Sequence, residues 1–486
     1  LRGAVSLSSD SLPEDVLEIA VEEALARGAE YAEARYHSIT SQGLMLRNDR
    51  VIALGSEIER GIAVRVTANG SFGFASTTRT SSEDVVRAVE TAIASARASS
   101  GYQKEKVRLS PERLGRATIV VHPKRSLQSL SVEDRVGLMR DLWKSLAGYS
   151  RKVKIPVLFQ SLGEHVEEKL VVNSDGGKVH SVTPRLYYTY NLVLAGDFGH
   201  TLNRMYEFSA VGGAELLEEW SLEERLKSEV SSLENVIVNG RSPPRGRMDV
   251  VIGHEIVGLA VHESCGHPSE ADRVLGREAA QGGMSFITRE SLGRKIGSTL
   301  VSIVDDPTIP GSNGFYLYDD ETVPARKRYL YRNGRIEGLL HNRWTGSVFG
   351  TGSNGSARSN SYRGEPLVRM ANTYLEPGDH TFEELLEGVR EGVYIKSYME
   401  WNISDDRWSQ RYVGLEAHYI KNGEITHPVK NPVLEVNTEE LYTSIDALEK
   451  EVRFHAGTCG KGEPMQGVPV WFGGPNVRAR GLRIGW

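Results

Sequence analysis

The five-residue separation of two histidines in His262-Glu263-Ser264-Cys265-Gly266-His267 constrains this chain more than any other feature. Two imidazoles with a carboxylate beside the first are the parts of a zinc hydrolase: ligands for the metal and a base for water. In the H-E-x-x-H pattern the histidines are four apart and share a helix face. Five residues of regular helix set the side chains roughly 140° apart. Both reach one metal only if the helix bends or ends between them. Gly266 permits unusual backbone angles, and Pro268 disfavours helical geometry at His267. The spacing predicts His262 on a helix and His267 swinging in at its broken end.

An H-E-x-x-x-H hexapeptide also arises by chance, so the rest of the ligand set matters. Such a metal takes three protein ligands and keeps a fourth position open. The chain has two cysteines, Cys265 and Cys459, which excludes a disulfide framework and makes each a candidate ligand. Cys265 lies three residues from His262 but would strain a site shared with His267; small-residue helix packing accounts for it. Cys459 stands in Gly457-Thr-Cys-Gly-Lys461, a glycine-flanked loop able to point a thiolate at a ligand; its bland alternative is an inert buried thiol. His254, eight residues before His262, reads as a packed core histidine rather than a ligand. Glu270 and Asp272 are candidates for orienting a ligand histidine, or else solvated loop carboxylates.

A chain of 486 residues is expected to form two or three domains. The formal net charge of -6 leaves no electrostatic footprint for nucleic acid, so Arg478, Arg480 and Arg483 read as solvated or core-edge side chains. Thr351-Gly-Ser-Asn-Gly-Ser356 lacks the Lys-Ser/Thr of a phosphate-binding loop and reads as structural or substrate-side. Residues 1–15 show no signal-peptide pattern, and no apolar run is long enough for a membrane span; a cytoplasmic location is the expectation.

Taken in order, Ser11, Pro13 and Glu14 start a helix that ends at Gly28. Strands are expected at 31–39, 43–47, 51–58 and 61–66, and a second helix from Ser81. The middle region repeats the plan with a strand at 118–122, a helix at 132–146 and strands at 155–160, 165–173, 178–182 and 185–195; no repeated sequence proves a duplication. A helical stretch at 222–236 precedes the boundary Ser242-Pro-Pro-Arg-Gly246. Beyond it come a strand at 249–252, the motif helix and two Asn-Gly hairpin signals, at Asn333-Gly334 and Asn422-Gly423. The fold class is α+β: an N-terminal unit (1–115), a middle region (116–241), and a large antiparallel C-terminal domain (242–486) carrying the metal helix.

The motif, the Gly457-Thr-Cys459-Gly tail, Arg369-Met-Ala-Asn-Thr373, Ala32-Glu-Ala-Arg35 and Gly61-Ile-Ala-Val-Arg65 together resemble the TldD/PmbA metallopeptidases over nearly the whole chain. The resemblance implies the TldD-type, metal-bearing subunit, because PmbA/TldE-type partners lack the zinc motif. It implies zinc on His262, His267 and Cys459, and Glu263 as the catalytic carboxylate. It further implies a homodimer or a heterodimer with a related subunit, enclosing a channel for short or unfolded polypeptides. Cys265 within the motif departs from the pattern without an interpretation. The expected function is zinc peptide-bond hydrolysis, with the peptide adding as a strand to a sheet edge. A silent scaffold subunit and a cysteine hydrolase using Cys459 are the alternatives.

Overall fold

A computed structural model describes residues 12–103, 105–197, 200–278 and 282–485. Ser11, half of the expected first helix signal, lies outside them. Helix α1 (Glu14–Ala26) buries Leu17, Ala20, Val21 and Ala24 on one face. Strands β1 (Tyr31–Arg47), β2 (Arg50–Ala68) and β3 (Ser71–Thr77) follow. Helix α2 (Ser82–Ser99) starts where the Ser81 side chain accepts from the Asp84 N–H. After β4 (Arg116–Val120), α3 (Val132–Leu146) opens with a Ser131/Asp134 capping box. Then come β5 (Lys154–Asn173), β6 (Lys178–Ala195) and β7 (Thr201–Val211).

These seven strands form one sheet, ordered β3-β2-β1-β5-β6-β4 with β7 also on β6. The pairing of β1 with β5 joins the first 115 residues and the region after them. Eight of the nine strands expected here merge into four long ones, the ninth is β4, and β3 and β7 were missing from the sequence reading. Glycine, polar residues and Pro184 are the reasons for the cuts. Gly43 pairs with both Gly55 and Gly163 in mid-sheet. A Cβ at Gly163 would lie 2.3 Å from the Tyr187 hydroxyl, and one at Gly61 would lie 2.5 Å from the Tyr362 ring. These glycines admit an aromatic ring and are not turns.

The two faces of β1 differ. Ala32, Ala34 and Tyr36 pack with α1 and α2, whereas Glu33, Arg35 and His37 are buried on the other face, towards the C-terminal part. There Arg65 bridges Glu33 at 2.9 Å and Glu321 at 2.6 Å, Arg35 donates to the Gly364 carbonyl at 2.6 Å, and Lys169 reaches Asp320 at 2.8 Å. The halves therefore meet through paired charges, whose partners must all be present for burial to be tolerated.

In the C-terminal part, β8 (Gly246–Ile252) sits inside a nine-stranded sheet, antiparallel to Val477–Gly485 and parallel to Glu391–Ile395. A second, six-stranded sheet ends at the strand Arg453–Lys461, which carries Cys459 and pairs with Gln466–Gly474. The motif helix His254–Val261 lies in the core between them, with Ile256, Val257, Leu259, Ala260 and Val261 all buried. Both expected hairpins form: Asn333, Gly334, Asn422 and Gly423 have φ of 48°, 75°, 50° and 81°. The architecture is α+β. Among the described residues no helix is long and apolar enough to cross a membrane.

Candidate metal centre

Val261, His262, Gly266 and His267 all have helical backbone angles, His267 with φ -58° and ψ -48°. The helix does not break. It widens: His262–Gly266 form a π-turn, in which the His267 N–H donates to the His262 carbonyl. An i→i+5 turn carries residue i+5 round above residue i. The five-residue spacing therefore puts both imidazoles on one side, with ring centroids 4.9 Å apart. This corrects the expected broken end. Gly266, at φ -60°, has ordinary helical angles; a Cβ there would lie 1.9 Å from the Met370 sulfur, so close packing explains it. Pro268 falls at the start of the following 3₁₀ turn, where its missing N–H costs nothing.

The long-range hairpin of residues 453–474 delivers Cys459. Its Sγ lies 3.5 Å from His267 Nε2. One donor atom from each of His262, His267 and Cys459 falls within 4.8 Å of the others, and all three residues are buried. The hairpin is held from below by Arg369, which donates to the Gln466 carbonyl at 2.8 Å and to the Cys459 carbonyl. Cys265 is elsewhere, in the apolar core, where burial pushes its thiol well up despite Ser269 and Tyr331 nearby.

His267 Nδ1 donates to Glu270 Oε2 at 3.1 Å, and that carboxylate also meets Arg273 at 3.2 Å and Lys461 at 3.3 Å. Burial would push Glu270 up, but Lys461, His267 and Arg273 hold it well below the usual carboxylate range. An ionised carboxylate only accepts, so the His267 proton is on Nδ1 and the Nε2 lone pair faces Cys459. Arg273 Nη2 is 3.4 Å from the same Nδ1, a poorer contact than its bond to Glu270. Asp272 touches neither histidine; it accepts from Lys461 at 2.6 Å.

Burial pushes both His262 and His267 below the ordinary imidazole range, which keeps them neutral, the form that ligates. Burial would raise the Cys459 thiol too, but His267 and Arg369 outweigh it and bring it to about 7. Among the described residues the buried His262 Nδ1 has no hydrogen-bond partner, an orphan that a bound ion would explain. Two nitrogens and a sulfur are a donor set suited to zinc, with bonds of about 2.0–2.3 Å. The residues fit the metal.

Glu263 follows His262 on the π-turn and is buried. Its Oε2 is ion-paired with Arg407 Nη1. Sequence reasoning missed Arg407: it sits in Ser404-Asp-Asp-Arg-Trp408, the tip of a hairpin far down the chain. The Asp-rich turn was the one visible signal, and nothing in it points to Glu263.

Models of PmbA/TldA metallopeptidase domains match the chain in three consecutive parts: domain 1 at residues 32–96, the central domain at 125–234 and the C-terminal domain at 245–485. A metalloprotease of Methanothermobacter thermautotrophicus is 31% identical over 460 residues, covering 94% of this chain and 95% of that protein. The chain belongs to the PmbA/TldD family of metallopeptidases. A zinc metalloprotease TldD homolog of Saccharolobus solfataricus is 24% identical over 463 residues, covering 94% of this chain and 97% of that one. Among solved structures, TldE from Thermococcus kodakarensis superposes with a TM-score of 0.76 at 17% identity, covering 97% of this chain and 99% of that one; it shares the fold.

In this PmbA/TldD member, His254 is half-buried, where a fully packed core histidine was expected. Its Nδ1 is 2.8 Å from His455 Nε2, and His455 Nδ1 is 2.8 Å from the Tyr206 hydroxyl. Burial brings His254 to about 4 and His455 to about 3. In the unfolded chain both titrate near ~6.5. Between those values the unfolded state binds more protons, so stability is intact above pH ~6.5 and falls as pH drops through the window. Replacing His455 with glutamine is expected to flatten this loss. Urea midpoints at pH 7 and pH 5 check it: an equal drop in variant and wild type would refute the assignment.

Proposed function

We propose that the chain is a zinc-dependent peptidase with His262, His267 and Cys459 as metal ligands and Glu263 as general base. The convergence of three buried donors within 4.8 Å, beside a buried carboxylate, carries this reading. Bound zinc supplies Lewis acidity towards both a substrate carbonyl and the attacking water. Glu263 accepts the water's proton as the peptide carbonyl is attacked and returns it to the leaving amine. Glu270, fixed by Lys461 and Arg273, keeps the His267 ring in one orientation and one tautomer.

The substrates of this reading are short or unfolded polypeptides admitted to an enclosed channel. The Cys459 strand supports strand addition: it pairs with Gln466–Gly474 on one side, and no other strand among the described residues pairs with it. Thr458, its neighbour on the opposite face, borders a cleft of about 500 Å³ between the N-terminal sheet and Pro469. Peptides N-methylated along the backbone are expected to be cleaved at least tenfold more slowly than unmodified ones, measured as kcat/KM; equal rates would remove strand addition from the mechanism. The shared fold with TldE supports assembly with a second copy or a related subunit.

A chelator separates the three readings. Dialysis against a strong zinc chelator should abolish peptide cleavage, and added zinc should restore it. Cleavage that survives metal removal would favour a thiol hydrolase using Cys459. No cleavage by metal-loaded protein on any unfolded peptide would favour a scaffold subunit.

A further inference from the structure

Arg407 sits where a base would be held, and its own restraints are unusually complete. Its backbone is left-handed, at φ +66°, a conformation uncommon outside glycine. The turn is fixed by the Arg407 N–H donating to the Ser404 carbonyl at 2.9 Å and by the Thr438 N–H donating to the Trp408 carbonyl at 2.8 Å. The same tip is stapled to a second segment. The Gly282 N–H donates to Asp405 Oδ1 at 3.1 Å, the Phe286 N–H donates to the Asp406 carbonyl at 2.8 Å, and the Phe286 and Trp408 rings meet at 5.0 Å.

The guanidinium is equally fixed. Nε and Nη2 both donate to the Gly282 carbonyl, at 3.0 and 2.8 Å, and Nη1 meets Glu263 Oε2. Gly282 is itself left-handed, at φ +69°, and a Cβ on it would lie 3.0 Å from Arg407 Nη2. Its carbonyl also accepts from Arg273 Nη1 at 2.5 Å, and Arg273 holds Glu270, the carboxylate that orients His267. One carbonyl thus ties together the arginine on the base and the arginine behind a ligand histidine.

We propose that Arg407 is a positioning residue for the peptidase reaction: it selects the orientation of the Glu263 carboxylate and registers it against the His267 side of the centre. The inference rests on the zinc-peptidase reading. A planar guanidinium bridging a carbonyl and a carboxylate imposes direction as well as charge, which an ammonium does not. An unrestrained carboxylate keeps its charge but spends most of its time out of line with the proton it must take.

The test compares Arg407→Met, Arg407→Lys, Glu263→Gln and Arg407→Met with Glu263→Gln, all zinc-loaded, in kcat, KM and zinc per chain. Arg407→Met is expected to lower kcat about a hundredfold with KM within threefold and zinc unchanged, from the ~10²–10⁴ that a positioned base contributes. Arg407→Lys should recover part of this, on the order of tenfold. The double variant should be no slower than Glu263→Gln alone, because Arg407 acts through Glu263. A kcat within threefold of wild type in Arg407→Met, beside a large loss in Glu263→Gln, overturns the proposal and leaves the peptidase reading standing. Loss of zinc in both Arg407 variants also overturns it, making the arginine a support of the metal. An unaffected Glu263→Gln removes the base itself and the proposal with it.

Discussion

Glu263→Gln is expected to lower kcat for peptide cleavage by about a thousandfold while zinc stays near one ion per chain. The change removes the carboxylate proposed to take the proton, yet keeps the volume and a hydrogen bond to Arg407. A thousandfold is about 4 kcal/mol on the barrier. Stability is the competing explanation. Glu263 and Arg407 have side chains only 6% and 11% exposed, so the glutamine leaves a buried cation short of its partner. Removing one partner of such a pair costs about 3–5 kcal/mol, and the retained hydrogen bond places this variant towards the lower end. The two effects separate experimentally. A folded, zinc-loaded variant assayed well below its Tm reports the barrier alone. Activity within tenfold of wild type under those conditions would assign the base elsewhere.

Cys459→Ala should lose its zinc on dialysis, whereas Cys265→Ala should keep about one ion per chain. The difference follows from where the two thiols are. Cys459 Sγ is 3.5 Å from His267 Nε2 and has its thiol held near 7; Cys265 sits in apolar core with its thiol pushed well up. With three protein ligands, losing one weakens zinc binding by orders of magnitude. Elemental analysis after dialysis reads the result directly. Zinc retained by Cys459→Ala would transfer the third position to another group, and Glu270, whose buried Oε1 has no hydrogen-bond partner among the described residues, is a candidate.

The candidate centre was legible in the sequence in its parts more than in its geometry. The histidine pair and its carboxylate are local, so the hexapeptide displays them. The means of bringing them together was misread, because a π-turn leaves no residue signature: His262, Gly266 and His267 keep helical angles while the hydrogen-bond register changes. Cys459 is brought in by strand pairing and by Arg369, which no periodicity links to the helix. Its choice over Cys265 came from its glycine-flanked setting and from resemblance to the family. Arg407 was beyond reach, since only the folded hairpin sets it beside Glu263. In the fold, helix ends with polar caps were read well, α3 to the residue. Strands were cut wherever glycine or polar residues interrupted an apolar run. Thr40, Ser41 and Gln42 break the pattern in β1, yet the ladder to β5 continues through them as Thr40↔Val166, Ser41↔His165 and Gln42↔Glu164.

The shared N-terminal sheet also sets a schedule for synthesis. β1 pairs with β2 almost at once, but its other edge waits for residues 159–173. At ~5–20 residues per second the ribosome needs on the order of ten seconds to supply them, whereas a hairpin closes in microseconds. For that interval the nascent chain carries a bare strand edge, the kind of surface that recruits other unfinished chains. Arg35 and His37 lie along it and find their partners only when later segments arrive, whereas Glu33 already has Arg65 of β2. Until then their charge makes β1 a poor template for a stranger, so the residues that join the two halves of the finished molecule also guard the unfinished one.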